Sequence, residues 1–334
     1  MKAFIRRFTP ELVLILRRNV AETISSVMCY AYDFNRYMRG SSTYNSHSQE
    51  RMLGKLVLYY HVIEKGLSFQ NRKPSFGLEV MSNLIDTAND YVDANYDKNQ
   101  LQFITACSVI KKYFEANDHD CADLNGLRDR LRSELSEYSQ ALLGGSRVIT
   151  KQAIQEATSF DFKRFFNSRH SIREFSEQEV EVEKVLYALD IARNYPSVCN
   201  RQAIRIYLIT SKDSIARHLK YQNGNRGFGE RINKLIVVTS DLNVFSRAEE
   251  RNQPFIDGGI YLMGLLLALH GTGLGAVPLN WSTHSKSDRA YRKFSNISDS
   301  ELIISFVGIG HLQDEMTTPK SERNSIDDIV TVIR

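Results

Sequence analysis

The residues best suited to chemistry lie in four short segments of the second half of the chain. The first, Arg169-His170-Ser171-Ile172-Arg173, puts two guanidiniums and a hydroxyl within five positions. Guanidiniums present planar forks of N–H donors that match phosphate oxygens, and a hydroxyl can extend the grip to a polyol. Taken alone, such a cluster also describes a solvated turn. In the second, Pro196-Ser197-Val198-Cys199-Asn200-Arg201-Gln202, each amide side chain is both donor and acceptor, a match for the alternating groups on the edge of a flat heterocycle. In the third, Asp257-Gly258-Gly259 opens an apolar stretch, and a run from Gly271 through Gly273, Gly275 and Ala276 to Pro278-Leu279-Asn280-Trp281 follows it. Gly271, Gly273 and Ala276 imitate a dinucleotide fingerprint, but that motif follows a strand and opens a helix, whereas here a helix leads in. Glycines so placed end the helix and let backbone amides approach a flat ligand closely. The fourth segment is Gly308-Ile309-Gly310-His311 followed by Pro319-Lys320-Ser321-Glu322-Arg323, where Lys320 and Arg323 add phosphate-type cations.

Local periodicity indicates the elements that must carry these segments. Before residue 150 the chain reads as helices. Leu16, Val20, Ile24, Val27, Ala31 and Phe34 recur at helical spacing on one face. A second helix is expected from Gln49 to Lys65, stopping at Gly66. Further helical periods fall near 77–95, 100–116 and 124–143, and Gly144-Gly145-Ser146 breaks the pattern. Beyond about residue 160 the texture changes. Glu177 to Asn194 is amphipathic and ends before Pro196, which has no amide hydrogen. Ile204–Thr210, Leu235–Thr239 and Leu302–Ile309 read as strands. Ile256 to His270 is an almost wholly apolar helix, expected to be buried on most sides. Helices with few strands indicate an α+β domain after an all-α region, and we place the boundary between residues 1–155 and 156–334.

Composition limits the alternatives. At 334 residues, 42% hydrophobic and 25% charged, the chain has the balance of an ordinary globular protein. The longest unbroken apolar runs, Leu12 to Leu16 and Leu265 to Leu269, are too short to cross a bilayer, and no small-residue cleavage site follows Arg6 and Arg7. Cys29, Cys107, Cys121 and Cys199 show no CxxC pairing, which fits reduced thiols in a cytoplasmic protein. Asp118-His119-Asp120-Cys121 carries ligand-type residues without a second cluster at metal spacing, so we expect a solvated loop and no metal. The first 40 residues hold seven Lys or Arg, Lys2, Arg6 and Arg7 among them, against three acids. That basic helix offers a weak contact to anionic lipid or an acidic partner, although a solvated face with ordinary arginines is the simpler reading. No basic stripe with interleaved aromatics suggests nucleic acid.

In type, order and approximate spacing, the four segments from Phe165 onward resemble the nitroreductase family of FMN enzymes. The resemblance implies a mixed or antiparallel sheet flanked by helices, here preceded by an all-α extension. It implies that Arg169, His170, Ser171 and Arg173 hold the FMN phosphate and ribityl chain. By the same likeness, Pro196, Ser197, Asn200 and Gln202 line the flavin ring and a subunit boundary. Pro278, Leu279 and Asn280 match the loop whose backbone amide faces flavin N5, which makes the Asn280 backbone the candidate at the reacting atom. Lys320 and Arg323 match a basic pair at the phosphate, with Glu322 as an extra residue between them. Where the family often continues with Pro-Trp, this chain has Ala203-Ile204, and Ser240 to Phe255 is short. Both departures bear on the substrate. The implied activity is an FMN-dependent oxidoreductase, a homodimer with FMN at its interface. It would take hydride from NAD(P)H through N5 and act on a small organic molecule, with the protein positioning and tuning the cofactor. The competing reading is a non-catalytic scaffold or regulator that acts through its helical half. In that half, His61 and Glu64 share a helix face at i, i+3, followed by Lys65 and Gly66. A substrate or accessory site there competes with an ordinary polar helix end.

Overall fold

The computed structural model describes residues 11–45, 47–119 and 121–334. Lys2, Arg6 and Arg7, the core of the basic N-terminal contact, fall outside them, as does Asp120 of the cysteine-bearing loop. Among the described residues, six helices come first: α1 (Glu11–Gly40), α2 (Gln49–Ser68), α3 (Leu78–Asp93), α4 (Leu101–Ala116), α5 (Ala122–Asp129) and α6 (Ser133–Glu137). Next come the short α7 (Lys151–Ala157) and α8 (Phe162–Ser168), then α9 (Val182–Ala192), β1 (Ile204–Ile209), α10 (Lys212–Leu219) and β2 (Lys234–Asp241). The remainder is α11 (Gln253–Gly271), β3 (Leu274–Asn280), α12 (Ser285–Ser295), β4 (Glu301–His311) and α13 (Ile326–Ile329). The fold is α+β, with an all-α region ahead of an antiparallel sheet flanked by helices.

The sheet has the order β1-β2-β4-β3, all neighbours antiparallel. Helices cover both faces, so β2 is buried along its whole length, with the unbroken apolar run 235–238 at its centre. Its alternate residues serve two cores. Leu235 and Val237 join Phe175, Ile215 and Tyr291 on one face, while Ile236 and Val238 join Val185, Leu265 and Leu269 on the other. The segment before α9 adds to the β3 edge through a parallel bridge between Ser171 and Ala276, with the Ile172 N–H donating to the Ala276 carbonyl at 3.0 Å. This bridge fixes the first chemistry-bearing segment beside β3.

The helical region has its own core, built from Leu56, Ile63, Met81, Leu84, Phe103 and Tyr113 of α2, α3 and α4. Ser48 caps α2 by accepting the Arg51 N–H, and Glu50 sits in its positive first turn. The last turns of α1 anchor to the sheet region. Arg36 donates to Asp288 and to the carbonyls of Asp299 and Glu301, and Tyr37 packs with Ala203, Leu242 and Phe245.

Several expectations need correction. α2 does not stop at Gly66 but continues to Ser68, because the Phe76 ring occupies the space a side chain at residue 66 would fill. The period at 124–143 is broken into α5 and α6 by tertiary bonds. Arg130 pairs with Asp86, its carbonyl accepts from Asn89, and the Gln140 N–H donates to Ser108. α9 begins only at Val182, since the Val180 N–H is taken by Asn233 and Glu179 by buried Lys234. The stretch after Gly273 is a strand rather than a loop, recruited by pairing with β4. α11 is less enclosed than its composition suggests. It packs on the sheet and α9, yet Phe255, Ile256 and Ile260 of its first turns are exposed. By length and apolarity Ala248–Gly271 could also span a bilayer, although its residues Leu265, Leu266 and Leu269 are buried in the sheet core.

Candidate functional site

α8 is capped by Asp161, whose carboxylate accepts the Arg164 N–H at 2.9 Å. It ends at Arg169, where the backbone turns extended and enters the β3 bridge. This placement aims Arg169, His170, Ser171 and Arg173 at the chain that leaves β4. Together with Lys320 and Arg323 they wall one cavity of about 500 Å³. The first and fourth sequence segments thus converge. Arg169, Arg173, Lys320 and Arg323 form no ion pair among the described residues, and Glu322 is the one carboxylate on the wall. The Arg173 guanidinium is held by the Ser171 carbonyl at 3.3 Å and by the Phe228 ring, and Arg323 donates to the Ser321 carbonyl.

Arg169 carries the clearest sign of a missing partner. Its Nε is buried and makes no hydrogen bond. A buried charged donor left unpaired costs more than a neutral one, so such an atom calls for an anionic acceptor. Arg169 and His170 also wall a smaller space of about 100 Å³ with Leu266, His270, Leu312 and Met316. His270 was not anticipated from sequence; its signal is a single polar residue closing an apolar helix. Its Nε2 lies 2.7 Å from the Ser168 hydroxyl. Burial, then the nearby Arg169 and His170, push the His270 imidazole below its usual value, against a raising hydrogen bond to the Phe165 backbone.

The second segment lies elsewhere. Asp257, in the first turns of α11, accepts the Val198 N–H with both oxygens, at 3.3 and 3.2 Å, and receives Gln253 at 2.8 Å. Burial raises the Asp257 carboxyl above its usual range, against the lowering effect of these donors. The anchored loop is bent hard. Cys199, Asn200 and Gln202 have φ of 49°, 55° and 50°, left-handed values that side chains other than glycine rarely adopt. The loop is held by the Gln202 N–H donating to Ser197, by Gln202 Nε2 donating to the Asn200 carbonyl, and by buried Arg201 paired with Glu250. Asn200, Gln202 and Pro196 are exposed. Thirteen residues of α11 separate Asp257 from His270, or about 20 Å at 1.5 Å per residue. Within one chain, therefore, Pro196, Ser197, Asn200 and Gln202 do not share the Arg169 cavity.

Pro278, Leu279 and Asn280 end β3, the strand that Ser171 flanks at Ala276. An edge strand tolerates a proline because one row of its donors is unpaired. The exposed Asn280 is fixed by its carbonyl, which accepts Gln222 Nε2 at 2.9 Å, and by its side chain, which accepts the Ser282 N–H. None of the three walls the 500 Å³ cavity. The glycines of the fourth segment have a packing role. A Cβ at Gly310 would lie 2.5–2.6 Å from Phe175, and one at Gly308 would lie 2.7 Å from Ile232.

Residues 167–223 match the model of the nitroreductase family, so the C-terminal region is nitroreductase-like and the helices before it stand as an extension. No curated protein matches the chain. Similar solved structures include a nitroreductase family protein from Clostridium difficile 630, 23% identical over 52% of this chain and 98% of its own, with a TM-score of 0.44. An FMN-dependent nitroreductase from Clostridium difficile R20291 is 20% identical over 51% and 98%, at 0.44. A nitroreductase-like protein from Streptococcus mutans is 15% identical over 52% and 98%, at 0.46.

Proposed function

We propose that residues 156–334 bind FMN and that the protein is an FMN-dependent oxidoreductase acting on a small organic substrate as a homodimer. The observation that carries this reading is the buried, unpartnered Arg169 Nε in a cavity with three further cations, a donor set that fits a phosphate monoester dianion. The match of residues 167–223 to the nitroreductase family supports the same choice of ligand. Arg169, Arg173, Lys320 and Arg323 would hold the phosphate, with His170 and Ser171 at the ribityl chain.

The ring end requires a second copy. The loop of Asn200 and Gln202 is anchored at Asp257, about 20 Å along α11 from the His270 that stands beside Arg169, so these residues would complete the site of a partner. Exposed Leu186, Tyr187 and Ile191 of α9, with Phe255, Ile256 and Ile260 of α11, supply the apolar surface that such pairing would cover. Bound FMN would supply hydride-transfer chemistry between NAD(P)H and an electron-poor substrate. The chain's share is electrostatic and geometric. The Asn280 backbone, locked by Gln222 and Ser282, would direct a dipole at the reacting edge, while the four cations would hold the phosphate end in place.

The direct test is flavin content. The purified protein should be yellow, retain FMN through gel filtration and bleach anaerobically with NADH or NADPH. A colourless protein that refuses added FMN would favour a scaffold acting through its helices, whereas retained FMN that no nicotinamide reduces would leave only the binding part of the proposal standing.

A further inference from the structure

A further cavity lies apart from the one that Arg169 walls. It measures about 690 Å³ and lies where α1, α2 and α12 meet the residues just before β4. Four guanidiniums face it, Arg36 and Arg39 from α1, Arg51 from α2 and Arg289 from α12, against the single carboxylate of Asp299. Like charges repel, so chains seldom gather them around a void without an anion to offset them.

The four are not equivalent. Arg51 is spent on neutral acceptors. It donates to the carbonyls of Asn45, Arg39 and Gly40 and to the Asn243 side chain at 2.7–3.2 Å, which fixes its position without neutralising its charge. Arg36 is buried and shares Asp288 with Arg292. Arg39 and Arg289 are exposed, and neither forms an ion pair among the described residues. The Arg289 guanidinium carbon stands over the Tyr32 ring, 4.6 Å from its centre, which restrains its fork. Two fixed charges thus stand behind two free forks on different helices. Ser285, the first residue of α12, adds the positive end of an eleven-residue helix, and Met28, Ala31 and Tyr32 give the cavity an apolar side.

We propose that this cleft binds a small organic phosphate or diphosphate. The anion would be held between Arg39 and Arg289 over Arg51, with the organic part against Met28 and Tyr32. Guanidinium forks favour phosphate through paired hydrogen bonds, and the volume falls in the range of small-molecule sites. The cleft is separate from the Arg169 cavity. The two lie beyond opposite ends of β4, whose eleven residues span about 35 Å. The proposal is therefore independent of the flavin reading.

Calorimetric titration of the full-length protein with inorganic pyrophosphate tests it. Three proteins are compared: the natural chain, an Arg39→Ala/Arg289→Ala variant, and an Arg169→Ala/Arg323→Ala variant with the other cavity disabled. Arg39 and Arg289 are exposed, so their loss strands no buried partner, and unchanged thermal melting would verify the fold. The expected result is saturable binding that survives in the Arg169/Arg323 variant and weakens at least about tenfold in the Arg39/Arg289 variant. No saturable binding to the natural chain, or binding that the Arg39/Arg289 variant leaves within about twofold, would overturn the proposal, as would equal loss in both variants.

Discussion

Arg169 concentrates the functional claim in one side chain. Replacing it by alanine removes the buried Nε that awaits an acceptor. A lost charged hydrogen bond costs about 1.5–3 kcal/mol, so Arg169→Ala should weaken FMN about 10- to 150-fold in equilibrium dialysis. Asp257 makes a second prediction. Asp257→Ala strands the Val198 N–H and frees the left-handed loop, whereas Asp257→Asn keeps an oxygen to accept that donor. Hydrogen exchange at Val198 should quicken in the alanine variant and stay slow in the asparagine variant. Glu64 makes the third, outside the flavin region. Burial pushes its carboxyl up to about 7 from 4.5, although a Gly145 N–H and Lys112 pull it down; His61 lies 3.6 Å away, with Lys65 next in the chain. Between those two values the folded state binds more protons than the unfolded chain, so stability falls as pH rises through that window. Glu64→Gln should flatten the fall, giving a melting temperature closer to the natural chain's at about pH 5 and above it at about pH 8.

At the level of elements, packing decides more than composition. Gly310 sits under the Phe175 ring with no room for a methyl group, so Gly310→Ala should cost about 1–3 kcal/mol by overpacking and lower the melting temperature. Gly308 and Gly310 stand out in the sequence without a role, because a glycine that admits a ring from another element looks the same as one that admits a cofactor. β1, β2 and β4 were legible as β-branched apolar runs, and α11 as an apolar helix. β3 was not, since Gly275 and Pro278 argue against a strand and only pairing with β4 recruits them. The convergence of Arg169 and Arg173 with Lys320 and Arg323 was foreseeable from residue type and order, but only as part of a resemblance. The separation of Asn200 from them was not, because the length of α11 enters only once Asp257 is seen to anchor that loop.

Across the whole molecule, the apolar surface left uncovered on α9 and α11 is where the proposed pairing of two copies can be tested. Tyr187 and Ile256 are 63% and 51% exposed, so a Tyr187→Glu/Ile256→Glu variant should fold with its own core intact. In sedimentation it should run as a monomer and lose FMN along with the dimer. The α1 stripe of Leu16, Val20, Ile24 and Val27 is also exposed, while the last turns of the same helix bind the sheet region through Arg36 and Tyr37. The helical region is thus fastened to the sheet region through the last turns of α1, next to the arginine-lined cleft, and through α2, where Arg51 donates to Asn243 and Gly54 packs on Val244. The most direct measurement for the account is the amount of FMN retained per chain after saturation and gel filtration. The natural chain should hold about one equivalent, and an Arg169→Ala/Arg323→Ala variant that melts normally should hold little. A natural chain that takes up no FMN, or a variant that retains it equally well, would contradict the assignment.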